Sequence, residues 1–309
     1  MENCNKHFMI LNKKILILYD SIEYFNSYIE EYGFTCQPSF RRLNFFGKVF
    51  RKILFKFNYP KHIWFDSWKN KLSNFDAVIF FSTNSIEALE FIKNKNPNIK
   101  IIIWYWNPVN KSLLKPEKVK CKLHEFWTFD LTDSINYKLN INTNFYFKNI
   151  LLPKNDLIYD VIFVGQDKGR AEKLNEYNCI LNSLKLSTFF HVVDDYKHRF
   201  SARKVKPISY DVYLKKLAQS KVIFDYLQDD QTGLSLRPFE SIFFNKKLIT
   251  NNSNIKNYDF YRKENIFILN HDDISMLKSF VDSDYLELPK NIIDNYDFQS
   301  WSNRFFDIK

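Results

Sequence analysis

Residues 159–170 read Tyr-Asp-Val-Ile-Phe-Val-Gly-Gln-Asp-Lys-Gly-Arg, and this stretch decides the fold of the second half of the chain. Its apolar, β-branched run 161–164 predicts a buried strand, and the amphipathic run 171–184 predicts a helix. A strand, a glycine turn and a helix N-terminus can form an anion site, because backbone N–H groups and the helix dipole both attract negative charge. Lys168 and Arg170 add two cations, so we expect phosphate there. The alternative is an ordinary strand–helix connection whose glycine only permits a tight turn.

The alternation of strands and helices along the whole chain predicts an α/β fold. Runs that predict strands lie at 14–19, 76–81, 100–106, 124–129, 144–147, 160–164, 187–193, 221–225 and 247–250, and runs that predict helices at 21–32, 85–93, 170–184, 209–219 and 235–244. Strands separated by helix-length intervals are typical of parallel sheets. We therefore expect two Rossmann-like domains, residues 1–150 and 151–309, facing each other across a ligand-binding cleft. The last segment, 291–307, has helical spacing and could pack back on the first domain.

Composition excludes several classes of protein. A chain of 309 residues with 45% hydrophobic and 18% aromatic residues has ample material for packed cores, which excludes disorder. The four cysteines are scattered without metal-ligand spacing, so we expect neither a disulfide framework nor a zinc site, and a reducing cytosol fits best. Residues 1–18 do not form a clean signal peptide, and no apolar run reaches the roughly 18 residues of a membrane span.

Positive charge is concentrated in one segment. Residues 1–150 carry 22 Lys and Arg against 13 Asp and Glu, and residues 151–309 carry 23 against 22. Within the first half, residues 41–64 hold seven Lys or Arg and no acid, and the apolar residues 46, 49, 50, 53, 54 and 57 share one helical face. This pattern is typical of a helix lying on an anionic membrane surface. One alternative is a helix that packs on a sheet and exposes its basic side to solvent. Another is a nucleic-acid interface, although no recognised binding motif accompanies the charge.

A second informative stretch covers residues 221–252. A buried strand ends at Asp225, and a polar loop leads through Gly233 into a helix that carries Arg237 and Glu240. These two side chains are three positions apart and so share a helix face. A guanidinium can hold a phosphate, and a carboxylate can accept two hydrogen bonds from a ribose diol. The alternative is a surface ion pair worth a few tenths of a kcal/mol.

Together the two stretches resemble the donor-binding half of GT-B fold glycosyltransferases, nearest to bacterial enzymes of capsule, exopolysaccharide and lipopolysaccharide synthesis. The most specific match is Gly-Leu-Ser-Leu-Arg-Pro-Phe-Glu at 233–240, followed by 247–251; residues 104–108 and 128–130 also resemble this group. The resemblance implies that a nucleotide-sugar is bound as co-substrate, with Glu240 on the nucleotide ribose. The donor-binding residues that it implies are Gly165, Lys168, Arg170, Gly233, Arg237 and Glu240.

The sequence departs from this family's pattern at one position. Many GT-B enzymes carry two glutamates eight positions apart, but the position eight before Glu240 is Thr232, so retaining stereochemistry is not implied. An inverting enzyme needs a general base, for which Asp130 and Asp20, both at predicted strand ends, are the candidates. Either aspartate could instead be structural. We expect no metal, because Lys168, Arg170 and Arg237 can neutralise a diphosphate and because Asp225, Asp229 and Asp230 lack a supporting ligand.

These observations predict a metal-independent glycosyltransferase with no resident cofactor. It would move a sugar from a nucleotide-sugar donor to a hydroxyl of a surface glycan, with a lipid-linked acceptor and the basic segment 41–64 on the inner face of the cell membrane. The alternative from another class is a non-catalytic ligand-binding protein with two α/β lobes. A nucleic-acid partner is not expected.

Overall fold

The structure, a computed structural model, describes residues 13–19, 23–57, 59–81, 86–112, 114–119, 124–194, 205–227 and 232–306. The chain divides into two compact units. Unit 1 comprises Met1–Thr143 together with Ser302–Lys309, and unit 2 comprises Asn144–Trp301. The division therefore falls a few residues before the expected position of 150/151, and the end of the chain belongs to unit 1.

Unit 1 contains a parallel six-stranded sheet in the order β2-β1-β3-β4-β5-β6. Its strands are β1 (Ile15–Tyr19), β2 (Thr35–Pro38), β3 (Ala77–Phe81), β4 (Lys100–Tyr105), β5 (His124–Thr128) and β6 (Asn140–Ile141). Its helices are α1 (Asn26–Glu31), α2 (Phe45–Lys56), α3 (Ile86–Lys95) and α4 (Leu131–Tyr137), with short 3-10 turns between them. Every residue of β1 and β3 is buried, which explains why their sequences are continuously apolar rather than alternating.

The chain end completes the core of unit 1. Phe305 is 1% exposed, and its ring centroid lies 5.0 Å from that of Trp127 and 6.2 Å from that of Trp104. The Lys100 Nζ donates a hydrogen bond to the Phe305 carbonyl at 2.6 Å. Arg304 donates to the side chains of Asn142 and Thr143. Residues 302–306 are therefore part of a unit whose other described residues precede residue 144.

Unit 2 contains a parallel five-stranded sheet in the order β11-β10-β9-β7-β8. The strands are β7 (Tyr159–Gln166), β8 (Thr188–Val193), β9 (Ser220–Asp225), β10 (Lys247–Thr250) and β11 (Ile266–Ile268). The helices are α5 (Ala171–Ser183), α6 (Tyr210–Ala218), α7 (Arg237–Phe243), α8 (Leu277–Asp282), α9 (Lys290–Asp294) and α10 (Phe298–Asn303). The two parallel sheets confirm the predicted α/β class with two Rossmann-like units.

Several elements differ from the prediction. Residues 144–147 do not form a strand, since only an isolated bridge joins Tyr146 to Asp297. The run is apolar because Phe145 packs against Trp301, with 4.3 Å between the ring centroids. The segment 291–307 forms short helices separated by a turn rather than one helix. The structure adds five helices and strands that the sequence patterns did not predict: β2, β6, α4, β11 and α8.

Helix α2 is an exception among the helices of unit 1, because none of its residues is buried. The alternative interpretation, in which its apolar face packs on a sheet, is therefore wrong for the described chain. No described helix is long and apolar enough to cross a membrane.

Candidate functional site

The order of the strands in unit 2 places a site at one edge of its sheet. The chain passes from β7 to β8 on one side and later continues with β9 on the other side of β7. Ligands of open α/β sheets bind beyond the carboxyl ends of the strands at the point where the order reverses. In unit 2 this point lies between β7 and β9, which end at Gln166 and Asp225.

Two arginines occupy this point. Arg237, at the first position of α7, donates to the Asp225 carboxylate at 3.1 Å and to the Val164 carbonyl at 2.5 Å. Arg170, which precedes α5, donates to the Gln166 carbonyl at 3.2 and 3.4 Å and to the Tyr226 carbonyl. Both side chains are therefore fixed by the ends of β7 and β9. The arginines come from separate stretches of the sequence, and the fold brings them together.

Gly165 makes room for both guanidinium groups. A Cβ atom at this position would lie 2.6 Å from the Arg237 Nη2 and 3.4 Å from the Arg170 Nη2. The first distance is shorter than any real Cβ contact, so a side chain at 165 would displace Arg237. The glycine is thus needed for the close approach of Arg237, and not for a left-handed turn.

The two cations share one aromatic ring and lie within the field of one carboxylate, Asp225. The guanidinium carbons of Arg237 and Arg170 lie 4.8 and 5.2 Å from the centroid of the Phe163 ring, within the range of a cation–π contact. Burial, and then the neighbouring charge of Arg237, lowers the pKa of Arg170 to about 10, while Asp225 opposes that shift. Arg170 is still protonated at neutral pH. The two positive charges of the cluster face the carboxylate of Asp225, which is ion-paired with Arg237, and the carboxylate of Asp167, whose charge also opposes the lowering of the Arg170 pKa.

The turn between β7 and α5 differs from the expected open anion site. Lys168 and Gly169 both have positive φ angles, +51° and +81°. Asp167 accepts hydrogen bonds from the backbone N–H of Arg170 at 2.9 Å and of Ala171 at 2.7 Å. A carboxylate of the chain itself thus caps the helix, and Lys168 is exposed. The cationic character of the site comes from the arginine side chains more than from the helix N-terminus.

Glu240 lies one helical turn after Arg237 and is 4% exposed. Its carboxylate accepts a hydrogen bond from the Tyr213 hydroxyl at 2.6 Å, and the Tyr146 hydroxyl is a second partner. Burial raises the pKa of Glu240, although these hydrogen bonds and the charge of Arg237 act in the opposite direction. The ion pair of Arg237 is with Asp225, so the simple surface pair of Arg237 with Glu240 is not what the structure contains.

Three further residues of this region have separate positions. Gly233 is buried in the segment that leads into α7. Asp225 is 1% exposed and also accepts from the Ser235 hydroxyl at 3.0 Å, so it orients Arg237. Asp229 and Asp230 lie outside the described residues. Among the residues that are described, no cluster of His, Cys, Asp or Glu could hold a metal ion.

The two candidate bases belong to unit 1. Asp130 is 3% exposed and caps α4, where its carboxylate accepts from the backbone N–H of Asp133 at 3.1 Å. This contact gives it a structural role at the carboxyl end of β5. Asp20 directly follows β1 but lies outside the described residues, so its part in the site stays a prediction.

The sequence patterns missed the residues that orient the site. The sequence pattern indicates Asp225 only as a possible metal ligand, whereas it holds Arg237, and it does not single out Asp167 or Tyr213. A signal existed for Asp225, because an aspartate that ends a buried strand lies at the functional edge of a parallel sheet. Nothing in the local sequence indicated Tyr213, because its contact with Glu240 joins residues 27 positions apart.

No protein-family model matches the sequence, and no curated protein matches it. Solved structures with a similar fold include a DNA-modifying β-glucosyltransferase studied with and without uridine diphosphoglucose, at 12% identity over 94% of this chain and 93% of that one, with a TM-score of 0.46. Another is HepE from Anabaena in complex with UDP, at 9% identity over 94% and 92%, TM-score 0.42. A third is the glycotransferase of kitacinnamycin, at 8% identity over 94% and 95%, TM-score 0.43. Likenesses this distant carry no conclusion about the activity of this chain.

Proposed function

We propose that the chain is a glycosyltransferase that uses a nucleotide-sugar donor. One observation carries this proposal: the guanidinium groups of Arg170 and Arg237 lie beside Gly165 at the switch point of a parallel sheet. Such a site suits a diphosphate, because a guanidinium offers a planar fork of donors to phosphate oxygens. The resemblance of residues 233–240 to the donor-binding segment of GT-B enzymes agrees with it.

The proposed mechanism uses the arginine pair to stabilise the departing nucleotide diphosphate. Charge develops on the bridging oxygen as the bond to the sugar breaks, and fixed cations in a largely buried site stabilise that charge without reorganisation. Arg170 and Arg237 would supply this stabilisation, with Lys168 as an exposed third cation. Glu240, oriented by Tyr213, would accept hydrogen bonds from the ribose diol. The neutralisation of the leaving group by these side chains is the reason that we propose a metal-independent reaction.

The proposal also concerns the acceptor of the sugar. We propose a hydroxyl of a surface glycan of the capsule or lipopolysaccharide type, carried on a lipid. Asp20 would remove the proton of that hydroxyl, because the other candidate, Asp130, is 3% exposed and caps α4. A lipid-linked acceptor is found at the inner face of the cell membrane, so the enzyme would have to work there.

A thermal-shift screen with and without metal tests the donor site. Purified chain is heated with UDP, GDP, CDP, CMP or ADP, each with EDTA and in a parallel arm with Mg²⁺. A ligand of the folded state raises the free energy of unfolding by RT ln(1 + [L]/Kd), about 2.7 kcal/mol at a hundredfold excess over Kd. We expect one nucleoside diphosphate to raise the melting temperature equally in both arms.

Variants then assign the effect to the arginine pair. Arg237→Lys and Arg170→Lys keep the positive charge and lose the planar pair of guanidinium donors. We therefore expect the nucleotide to raise the melting temperature less in both variants. Arg262→Lys, also in unit 2, donates to backbone carbonyls elsewhere and is the matched control. No affinity for any nucleoside diphosphate in either arm would contradict the proposal. Binding of a nucleotide-sugar without any release of nucleotide, with glycan acceptors present, would favour the non-catalytic binding protein.

A further inference from the structure

One face of helix α2 exposes large apolar side chains that the described chain leaves uncovered. This face, called the α2 face here, consists of Phe45, Phe46, Val49, Phe50, Ile53 and Phe57. Each of these side chains is between 42% and 79% exposed, and Phe46 is the most exposed. Single exposed apolar residues are ordinary on protein surfaces, but six on one helical stripe indicate an interaction site.

Cations border the α2 face. Lys48, Lys52 and Lys56 recur every four residues and so form a row along one side of it. All three are exposed. The surrounding segment 41–64 adds four more Lys or Arg and contains no acidic residue. The surface is therefore apolar along its centre and positive along its edge.

The opposite side of α2 attaches the helix to unit 1. The ring of Phe55 lies 5.6 Å from that of Phe40, and Arg51 stacks on Phe40 at 5.1 Å. The Asn44 side chain caps the helix by accepting from the backbone N–H of Gly47 at 2.8 Å. The helix is thus held in place through this side, and within the α2 face Phe50 also contacts the Trp64 ring at 6.2 Å between centroids.

We propose that the α2 face docks on an anionic lipid bilayer. The phenylalanines would enter the boundary between headgroups and acyl chains, and the lysine row would contact the negatively charged headgroups. Charge complementarity identifies this occupant. A second copy of the chain would bring a second set of seven cations against the first, whereas an anionic leaflet neutralises them. The inference goes beyond the proposed activity, because it requires neither donor nor acceptor.

Co-sedimentation of the full chain with vesicles tests the inference. One set of vesicles is phosphatidylcholine alone, and the other contains roughly one third phosphatidylglycerol. We expect binding to the second set only, and we expect added salt to weaken it. Each basic residue near such a surface contributes about a fivefold factor, so replacing Lys48, Lys52 and Lys56 by Gln should lower the partition coefficient on the order of a hundredfold. Replacing Phe45, Phe46 and Phe57 by Ser should abolish sedimentation.

Matched controls distinguish binding by the α2 face from nonspecific electrostatic and hydrophobic binding. Lys154, Lys215 and Lys290 are exposed lysines of unit 2, and their replacement by Gln removes the same charge. Leu151, Leu157 and Ile158 are exposed apolar residues of unit 2, and their replacement by Ser removes similar apolar area. Both controls should bind like the unaltered chain, and circular dichroism should show every variant folded.

Three results would overturn the proposal. The first is equal binding to both vesicle sets, and the second is an unchanged partition coefficient in the Lys48, Lys52 and Lys56 variant. The third is a dimer in sedimentation velocity that the phenylalanine variant abolishes, which would assign the α2 face to a second copy.

Discussion

Gly165 sets the geometry of the arginine pair, so the smallest substitution there should be informative. A methyl group at 165 would lie 2.6 Å from the Arg237 Nη2 and must displace that guanidinium. We expect Gly165→Ala to weaken the affinity for the nucleoside diphosphate by about tenfold or more, the equivalent of one lost charge-assisted hydrogen bond. Isothermal titration calorimetry measures it, and Gly47→Ala in unit 1 is the control. Equal affinities of the two variants would show that Arg237 does not touch the nucleotide.

Glu240 predicts a dependence of stability on pH. Burial raises the pKa of its carboxyl above the ordinary 4.5. At pH values between 4.5 and the raised pKa, the folded chain therefore holds a proton that the unfolded chain has released. The free energy of unfolding therefore falls as the pH rises from about 4.5 towards the raised pKa. Gln at position 240 is neutral and still accepts from Tyr213. We expect Glu240→Gln to gain stability relative to the unaltered chain across this window, as measured by urea denaturation at several pH values. A constant difference would contradict the prediction.

At the scale of elements, α2 and α6 should respond differently to the loss of an N-cap. Asn44 caps α2, which has no buried residue, and Ser209 caps α6, which buries Leu214 and Leu217. Replacing an N-cap side chain by Ala typically costs about 1 kcal/mol of helix or protein stability. Asn44→Ala should therefore speed amide hydrogen exchange within α2 and leave the melting temperature unchanged. Ser209→Ala should lower the melting temperature, because α6 unfolds only with its core; a similar fall for Asn44→Ala would mean that α2 is packed after all.

The elements also show which structural features local sequence can specify. Continuous apolar runs correctly predicted β1, β3, β4, β7, β9 and β10, because strands buried on both sides need apolar residues throughout. The strands β2 and β11 lie at sheet edges: β2 carries no such run, and the apolar run of β11 is only three residues long. The same limit applies to the site. Glycine and basic residues in a turn indicate Arg170 and Arg237, whereas the partners that fix Arg237, Asp225 and the Val164 carbonyl, depend on the pairing of distant strands.

For the whole molecule, Phe305 should matter more than its place near the chain end suggests. Its side chain is 1% exposed against Trp104 and Trp127. Phe305→Ala should cost about 4 kcal/mol, the usual range for an aromatic ring lost from a core. Hydrogen exchange should then quicken in β1, β3 and β4 and stay slow in the strands of unit 2. Phe306→Ala is the control, because Phe306 is only partly buried and contacts Lys13 and Lys100.

The return of residues 302–306 to unit 1 also orders events during synthesis. Unit 2 is translated between the two parts of unit 1. At about 5 to 20 residues per second, the synthesis of Asn144–Trp301 takes roughly ten to thirty seconds. Throughout that interval unit 1 lacks Phe305, so the faces of Trp104 and Trp127 that Phe305 covers stay open on the ribosome. Unit 1 therefore completes its core only after the residues of unit 2 have been translated.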